Sequence, residues 1–345
     1  MSINKSNATA AANRFLKATT DSADFAGVLP AHVGTAEFVE SLWPALMQQA
    51  FAGEIISADS RQVYCGMDIG TGKDLSEYHG VPHHLIDIVP PTEEYNLSRF
   101  VADAARALCD ITQRNRLPIV AGGSPLYVQA LLRNYELPGG EPDAAFRASV
   151  EKEVTPALVK WLEQIDPELF RRTDTTQRKR VVRALEIAHT AGGITRQGAV
   201  PLPEFQRLVL APYYTRKEIH ERIEKRLRTR LEQGLLDEVR RLHDQGISWE
   251  RLEYLGLEYR YAAQHLQGRL GYEDFFDRLY TQIRRFCKSQ DGWFRKMERE
   301  GQDIYWLPQG NLSEASGLVR AFVKDEPLPC PEMRMSNIYY GPKSQ

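Results

Sequence analysis

The sequence predicts an α/β fold: a parallel sheet flanked by helices, interrupted by a small helical insertion. Three observations predict it. Short apolar strands alternate with amphipathic helices between residues 54 and 132, the order that builds a parallel sheet. The run L-P-I-V-A-G-G-S (117–124) is apolar almost throughout, as suits a strand covered on both faces. From residue 136 the texture changes, and 143–192 reads as helix with few strand formers.

Composition sets the outer limits. Hydrophobic residues make up 42% of 345, enough for a sizeable core. The formal net charge of −2 offers no global attraction to nucleic acid, so such a partner has to be met by a local patch. Cys65, Cys109, Cys287 and Cys330 are widely spaced and form no C-x-x-C pair. That spacing suggests neither a zinc site nor a disulfide framework and fits a reducing, cytoplasmic setting. No apolar run approaches membrane-spanning length.

Residues 1–28 carry no sustained pattern and are expected to be loose. V-L-P-A-H-V (28–33) stands where a first strand belongs, but Pro30 and His32 make it a poor one. A helix over 38–51 would put Phe38, Leu42 and Leu46 on one side, with Pro44 requiring a start near Ser41. The stretch G-E-I-I-S-A-D-S-R-Q-V-Y (53–64) opens a strand and ends it at Asp59. Open α/β sheets do their chemistry at the carboxyl ends of strands. A strand-end Asp also caps turns, and position alone favours that role.

G-V-P-H-H-L-I-D-I (80–88) reads as a loop running into a strand. Adjacent histidines on an extended segment point opposite ways, so His83 and His84 are expected to be structural. A helix over 96–114, opened by Asn96 or Ser98, buries Phe100, Ala104 and Leu108. A glycine turn follows the 117–124 strand, and 125–132 begins the next helix. The core is expected to span 29–136 and 204–310 around an insertion at 137–203. A C-terminal helix and a mobile tail fill 311–345. R-L-V-L-A (207–211) returns as a strand. One long helix over 216–244 spaces Ile219, Ile223, Leu227, Leu231, Leu235 and Val239 by four. Helices over 257–266, 272–299 and 312–324 complete the chain. Cys65, Cys287, Trp293 and Phe294 are expected in the core.

The order of motifs resembles the tRNA dimethylallyltransferase family. G-E-I-I-S-A-D-S-R-Q-V-Y-C-G-M-D-I-G-T-G-K, G-V-P-H-H-L-I-D-I, G-G-S-P-L-Y and R-V-V-R-A-L-E-I carry the first half. E-R-I-E-K-R, G-L-L-D-E-V, L-G-L-E-Y-R and Q-x-x-W-F-R carry the second, and the likeness spans roughly residues 34–308. It implies a core like that of P-loop kinases and an insertion that grips the tRNA anticodon stem-loop. It also implies transfer of a dimethylallyl group from dimethylallyl diphosphate to N6 of the adenosine 3′ of the anticodon. A monomer is expected.

By that resemblance Asp59 is the general base, a role that suits a carboxylate within hydrogen-bond reach of an exocyclic amine. Ser124 orients the base and the adenine. Arg226 holds the diphosphate with its planar donor fork. Ser60, Arg61 and Gln62 touch tRNA, as do Lys179, Arg180 and Arg183 of the insertion, with Arg147 as a further contact. The basic strip has its own argument: Arg171, Arg172, Arg178, Lys179, Arg180 and Arg183 crowd one short stretch with only Asp174 against them. Such a strip supplies salt-sensitive affinity for phosphates, although most charge runs are simply solvated faces.

One motif departs strongly from the family, and Pro125, Ile283 and Ser289 depart from it more mildly. Its phosphate loop, G-x-x-x-x-G-K-[ST], falls on G-T-A-E-F-V-E-S (34–41). Gly34 and Ser41 survive for the diphosphate, Ser41 also being the hydroxyl the resemblance assigns to Mg²⁺. Val39 replaces the second glycine, and Glu40 replaces the lysine. A charge contact at about 4 Å is worth roughly 4 kcal/mol at an effective dielectric of 20, so reversing it weakens donor binding. G-T-G-K-D (70–74) does not fit the loop pattern. Two expectations follow: an enzyme of this family, or an impaired homologue that retains tRNA binding.

Overall fold

The computed structural model describes residues 28–30, 53–78, 80–133, 143–189 and 205–338, with backbone alone at 28–30 and 76–77. It divides into two compact units, Met1–Arg133 with Leu202–Gln345, and Asn134–Pro201.

The first unit is built on a parallel sheet of β1 (Val28–Pro30), β2 (Glu54–Ser57), β3 (His83–His84) and β4 (Pro118–Gly122), in the order β1-β4-β2-β3. β2 and β4 lie side by side in the middle, Ile55 opposite Ile119 and Ile56 opposite Val120. All four side chains are at most 1% exposed. Each contributes about 1.5–3 kcal/mol of burial, and β4 is apolar throughout while β2 sets its two isoleucines between Glu54 and Ser57. The position judged a poor strand does pair: β1 runs beside β4 for three residues, and Pro30 ends it.

Helix α1 (Leu97–Gln113) leads into β4 and α2 (Pro125–Leu132) leaves it. Asn96 caps α1 by accepting from the Arg99 amide at 2.9 Å. Buried Glu54 opens β2, where His84 Nε2 meets it at 2.8 Å and Arg114 grips it with two nitrogens. Burial would raise this carboxyl, but the Arg114 and His84 hydrogen bonds outweigh it and hold it below the usual range. His84 is thus structural.

In the insertion unit, α3 (Ala144–Val150), α4 (Thr155–Ile165), α5 (Pro167–Arg172) and α6 (Arg178–His189) close over a core of their own that includes Phe146, Leu158, Leu162, Val181 and Leu185.

After the insertion, β5 (Leu210–Tyr213) pairs in parallel with β6 (Tyr305–Pro308), a strand too short to show in the sequence pattern. Leu210 and Leu307 join Ile55 and Ile119 in one core, so the two small sheets share it. The single long helix expected over 216–244 is two: α7 (Arg216–Glu232) and α8 (Leu235–Asp244). Gly234 separates them with φ at 100°, a left-handed conformation that glycine adopts without steric cost. The short α9 (Trp249–Tyr254) follows, then α10 (Leu257–Leu266), α11 (Tyr272–Arg299) and α12 (Leu312–Val323).

Three further expectations need correction. The tail beyond Glu326 is described as far as Ile338 and is tied down. Buried Glu298 accepts the amides of Met335 at 3.1 Å and Ser336 at 2.6 Å, and Met335 is itself buried. Cys65 is exposed rather than packed inside. Trp293 is half-buried, while its neighbour Phe294 fills the core. Among the described residues no helix is long and apolar enough to cross a membrane.

Candidate active site

The site begins where β2 and β4 end. A Cβ on Gly122 would collide with the Ala58 backbone, reaching its oxygen at 2.6 Å and its Cα at 2.8 Å. Glycine therefore lets the two strand ends close on each other, and the Ser124 amide bonds the Ala58 carbonyl at 3.3 Å. That contact places Ser124 Oγ where it accepts the Ser60 amide at 3.0 Å and reaches Ser60 Oγ at 3.3 Å. On the far side, buried Gln290 of α11 donates to the Gly123 carbonyl at 2.5 Å.

Asp59 stands one residue beyond Ala58. Its Oδ1 accepts the Arg61 amide at 2.7 Å and the Gln62 amide at 3.4 Å. It is therefore a turn cap, as a strand-end Asp often is. It also borders a pocket of about 520 Å³. The two readings coexist, since the cap fixes the carboxylate against the pocket wall.

The pocket is strongly basic. Arg61, Arg226, Arg230, Arg260 and Arg285 line it, against two acids, Asp59 and Glu258. Ser60 and Ser124 lie on the same wall as Asp59, while Tyr254 and Phe286 lend it aromatic surface. Arg61 stands over the Tyr254 ring at 5.8 Å. Concave, mostly apolar surface with a few convergent charges is what a phosphorylated organic ligand needs.

Asp59, Ser60, Arg61, Gln62, Ser124 and Arg226 are thus gathered at one pocket. Gln62 is buried, however, and its amide is spent within the fold. It accepts from Ser57 Oγ at 2.8 Å and donates to the Gly72 carbonyl at 3.2 Å. Lys73 of G-T-G-K is likewise held inside by the Tyr64 carbonyl at 2.6 Å and by Asp68 and Asp87. Gly34, Val39, Glu40 and Ser41 lie outside the described residues. So does the helix expected over 38–51. Among the described residues no group of three or more His, Cys, Asp or Glu gathers to hold a metal ion.

Several pocket residues had no role in the sequence reading. Arg230 sits one helical turn after Arg226 on α7, and Leu255, Gly256, Leu257, Glu258 and Tyr259 all line the wall. The i, i+4 spacing of the two arginines was the available signal. The L-G-L-E-Y-R motif was visible, but nothing local says that it turns inward.

In the insertion unit the basic strip divides. Arg147 grips Glu186 through Nε at 2.6 Å and Nη2 at 3.1 Å, and Arg183 Nη1 adds a bond at 3.1 Å. Burial would raise the Glu186 carboxyl, but these hydrogen bonds prevail and hold it low. Arg178 donates to the Val150, Glu151 and Glu153 carbonyls and so closes the end of α3. Arg171, Arg172, Lys179 and Arg180 are exposed, with Arg172 paired to Glu168 and Arg180 Nη1 bonded to Asp174 at 2.8 Å.

This architecture agrees with comparisons to known proteins. The family model described as IPP transferase matches residues 62–297. The chain belongs to that family. It is 46% identical over 273 residues to tRNA dimethylallyltransferase 2 of Citrifermentans bemidjiense, covering 79% of this chain and 88% of that protein. It is 47% identical over 255 residues to tRNA dimethylallyltransferase 2 of Shewanella sediminis, covering 74% and 84%. Among solved structures, a eukaryotic dimethylallyltransferase acting on tRNA superposes with a TM-score of 0.74 at 25% identity, covering 88% of this chain and 81% of that one. The tRNA isopentenylpyrophosphate transferase of Bacillus halodurans gives 0.63 at 28%, covering 88% and 97%.

Proposed function

We propose that this protein transfers a dimethylallyl group from dimethylallyl diphosphate to N6 of the adenosine 3′ of the tRNA anticodon. The observation that carries the reading is a single pocket bordered both by a fixed strand-end carboxylate, Asp59, and by arginines of α7. The amine needs a base and the leaving diphosphate needs cations, and both are at hand.

The residues divide the work. The adenine, turned out of its loop, presents its amine to Asp59. As the nitrogen attacks C1 of the dimethylallyl group, the C1–O bond to diphosphate breaks. Asp59 takes the amine proton, and diphosphate leaves with the bond's electron pair against Arg226 and Arg230. Ser124 orients this end through Ser60. Mg²⁺, expected at Ser41, would neutralise diphosphate charge when bound. The exposed Lys179 and Arg180 fit phosphate contacts on the anticodon stem, while Arg147 and Arg183 support the insertion through Glu186. The protein is read as cytoplasmic and monomeric.

Single-turnover incubation with tRNA and dimethylallyl diphosphate, followed by mass spectrometry of the nucleosides, tests this. A prenylated adenosine is the expected product. Its absence, with tRNA binding intact, would favour the impaired homologue. Val39→Gly with Glu40→Lys would then show whether the phosphate loop is the lesion.

A further inference from the structure

Three motifs have no assigned part in the chemistry: D-I-G-T-G (68–72), the Glu of G-L-L-D-E-V, and the Tyr of L-G-L-E-Y-R. The fold brings them to one point. Glu238 is 1% exposed, and its Oε2 accepts the amides of Asp68 at 3.0 Å and Ile69 at 2.8 Å. Its Oε1 accepts the Gly70 amide at 3.1 Å and the Tyr259 hydroxyl at 2.6 Å. Three consecutive amides form an anion-binding concavity, which this carboxylate fills from within the chain.

The loop so held is the surface against which the α7 arginines rest. A Cβ at Gly72 would collide with guanidinium nitrogens of both Arg230 and Arg226. A Cβ at Gly70 would meet the Tyr259 ring at 2.5 Å. Arg230 Nη1 also reaches the Gly70 carbonyl at 3.4 Å and Glu258 at 3.6 Å. Both guanidinium groups thus lie against the backbone of this loop, and Arg230 is bonded to it.

We propose that Glu238 is a positioning residue for the diphosphate subsite. It latches loop 68–72 so that Arg226 is held in place before the donor arrives. The inference rests on the reading of Arg226 as a diphosphate ligand, and Glu238 itself touches no substrate.

The test uses Glu238→Gln in the full chain. An amide keeps the shape but sets an N–H group against backbone N–H donors. The loop amides of 68–70 should exchange with solvent faster. Affinity for inorganic pyrophosphate, read by calorimetry, should fall at least tenfold, and affinity for a tRNA stem-loop should stay within twofold. Arg226→Ala should weaken pyrophosphate binding in the parent and add little in the Glu238→Gln background. Tyr259→Phe, which removes one of the four bonds and keeps the ring, should give a smaller loss of the same kind. Equal cost of Arg226→Ala in both backgrounds would overturn the latch, as would unchanged exchange at 68–70. Arg226→Ala without effect in the parent would instead overturn the reading on which the latch depends.

Discussion

Replacing Asp59 by Asn separates the turn cap that the structure shows from the proposed role as base. Asn keeps an Oδ1 able to accept the Arg61 and Gln62 amides, now at 2.7 and 3.4 Å. Asn and Asp cap comparably, and the loss is confined to the extra strength of charge-assisted bonds, about 1 kcal/mol. What Asn lacks is the basicity to take a proton. A general base contributes about 10²–10⁴ in rate, or about 2.7–5.4 kcal/mol in barrier. Asp59→Asn should therefore fold nearly as well as the parent and transfer the prenyl group at least a hundredfold more slowly. Asp59→Ala should lose the rate and also about 0.5–2 kcal/mol of stability, because the cap goes with it. Single-turnover rates and urea unfolding, read on the same preparations, decide the matter. An Asp59→Asn protein within tenfold of the parent rate would refute the assignment and leave Asp59 as a turn cap alone.

Other residues lead to outcomes of different kinds. Gly122→Ala forces the β4 end off the Ala58 backbone; denaturant unfolding should show a loss of about 1–3 kcal/mol, with reduced transfer as Ser124 is drawn from Ser60. Glu186 has a depressed carboxyl, so its contribution is present above its unfolded value and is lost as pH falls through the folded one. Amide exchange in the insertion should therefore speed up on acidification, and Glu186→Gln should abolish most of that dependence while costing about 1–3 kcal/mol at neutral pH. Lys179→Glu with Arg180→Glu should weaken tRNA stem-loop binding and flatten its salt dependence by about one to two ions in the logarithmic slope. Unchanged slope would place the RNA elsewhere on the molecule.

Much of the fold was legible because its signals are local. The helix Leu97–Gln113 follows from periodicity, and it, Pro125–Leu132, Leu257–Leu266 and Tyr272–Arg299 lie within a residue or so of their expected limits. β4 follows from an apolar run bounded by a glycine turn. The unrecognised β6 is four residues long and gains its partner, β5, only from the far side of five helices. The break at Gly234 was hidden because the apolar spacing of four continues across it. Gln62, Arg147 and Arg183 were grouped by the resemblance as RNA contacts. Their neighbours show what each bonds within the chain, which charge and spacing do not reveal.

The sequence by itself determined the class of fold, the strand end that carries Asp59, the helical insertion and the altered phosphate-loop motif. Each of these is written in residues close together in the chain. Only the tertiary structure decided that five arginines share one pocket with that carboxylate, and that Glu238 closes on a loop some 170 residues before it. The physical reason is burial. A carboxylate withdrawn from water must find donors wherever the fold supplies them, and the fold, rather than local spacing, supplies them here from Asp68, Ile69, Gly70 and Tyr259.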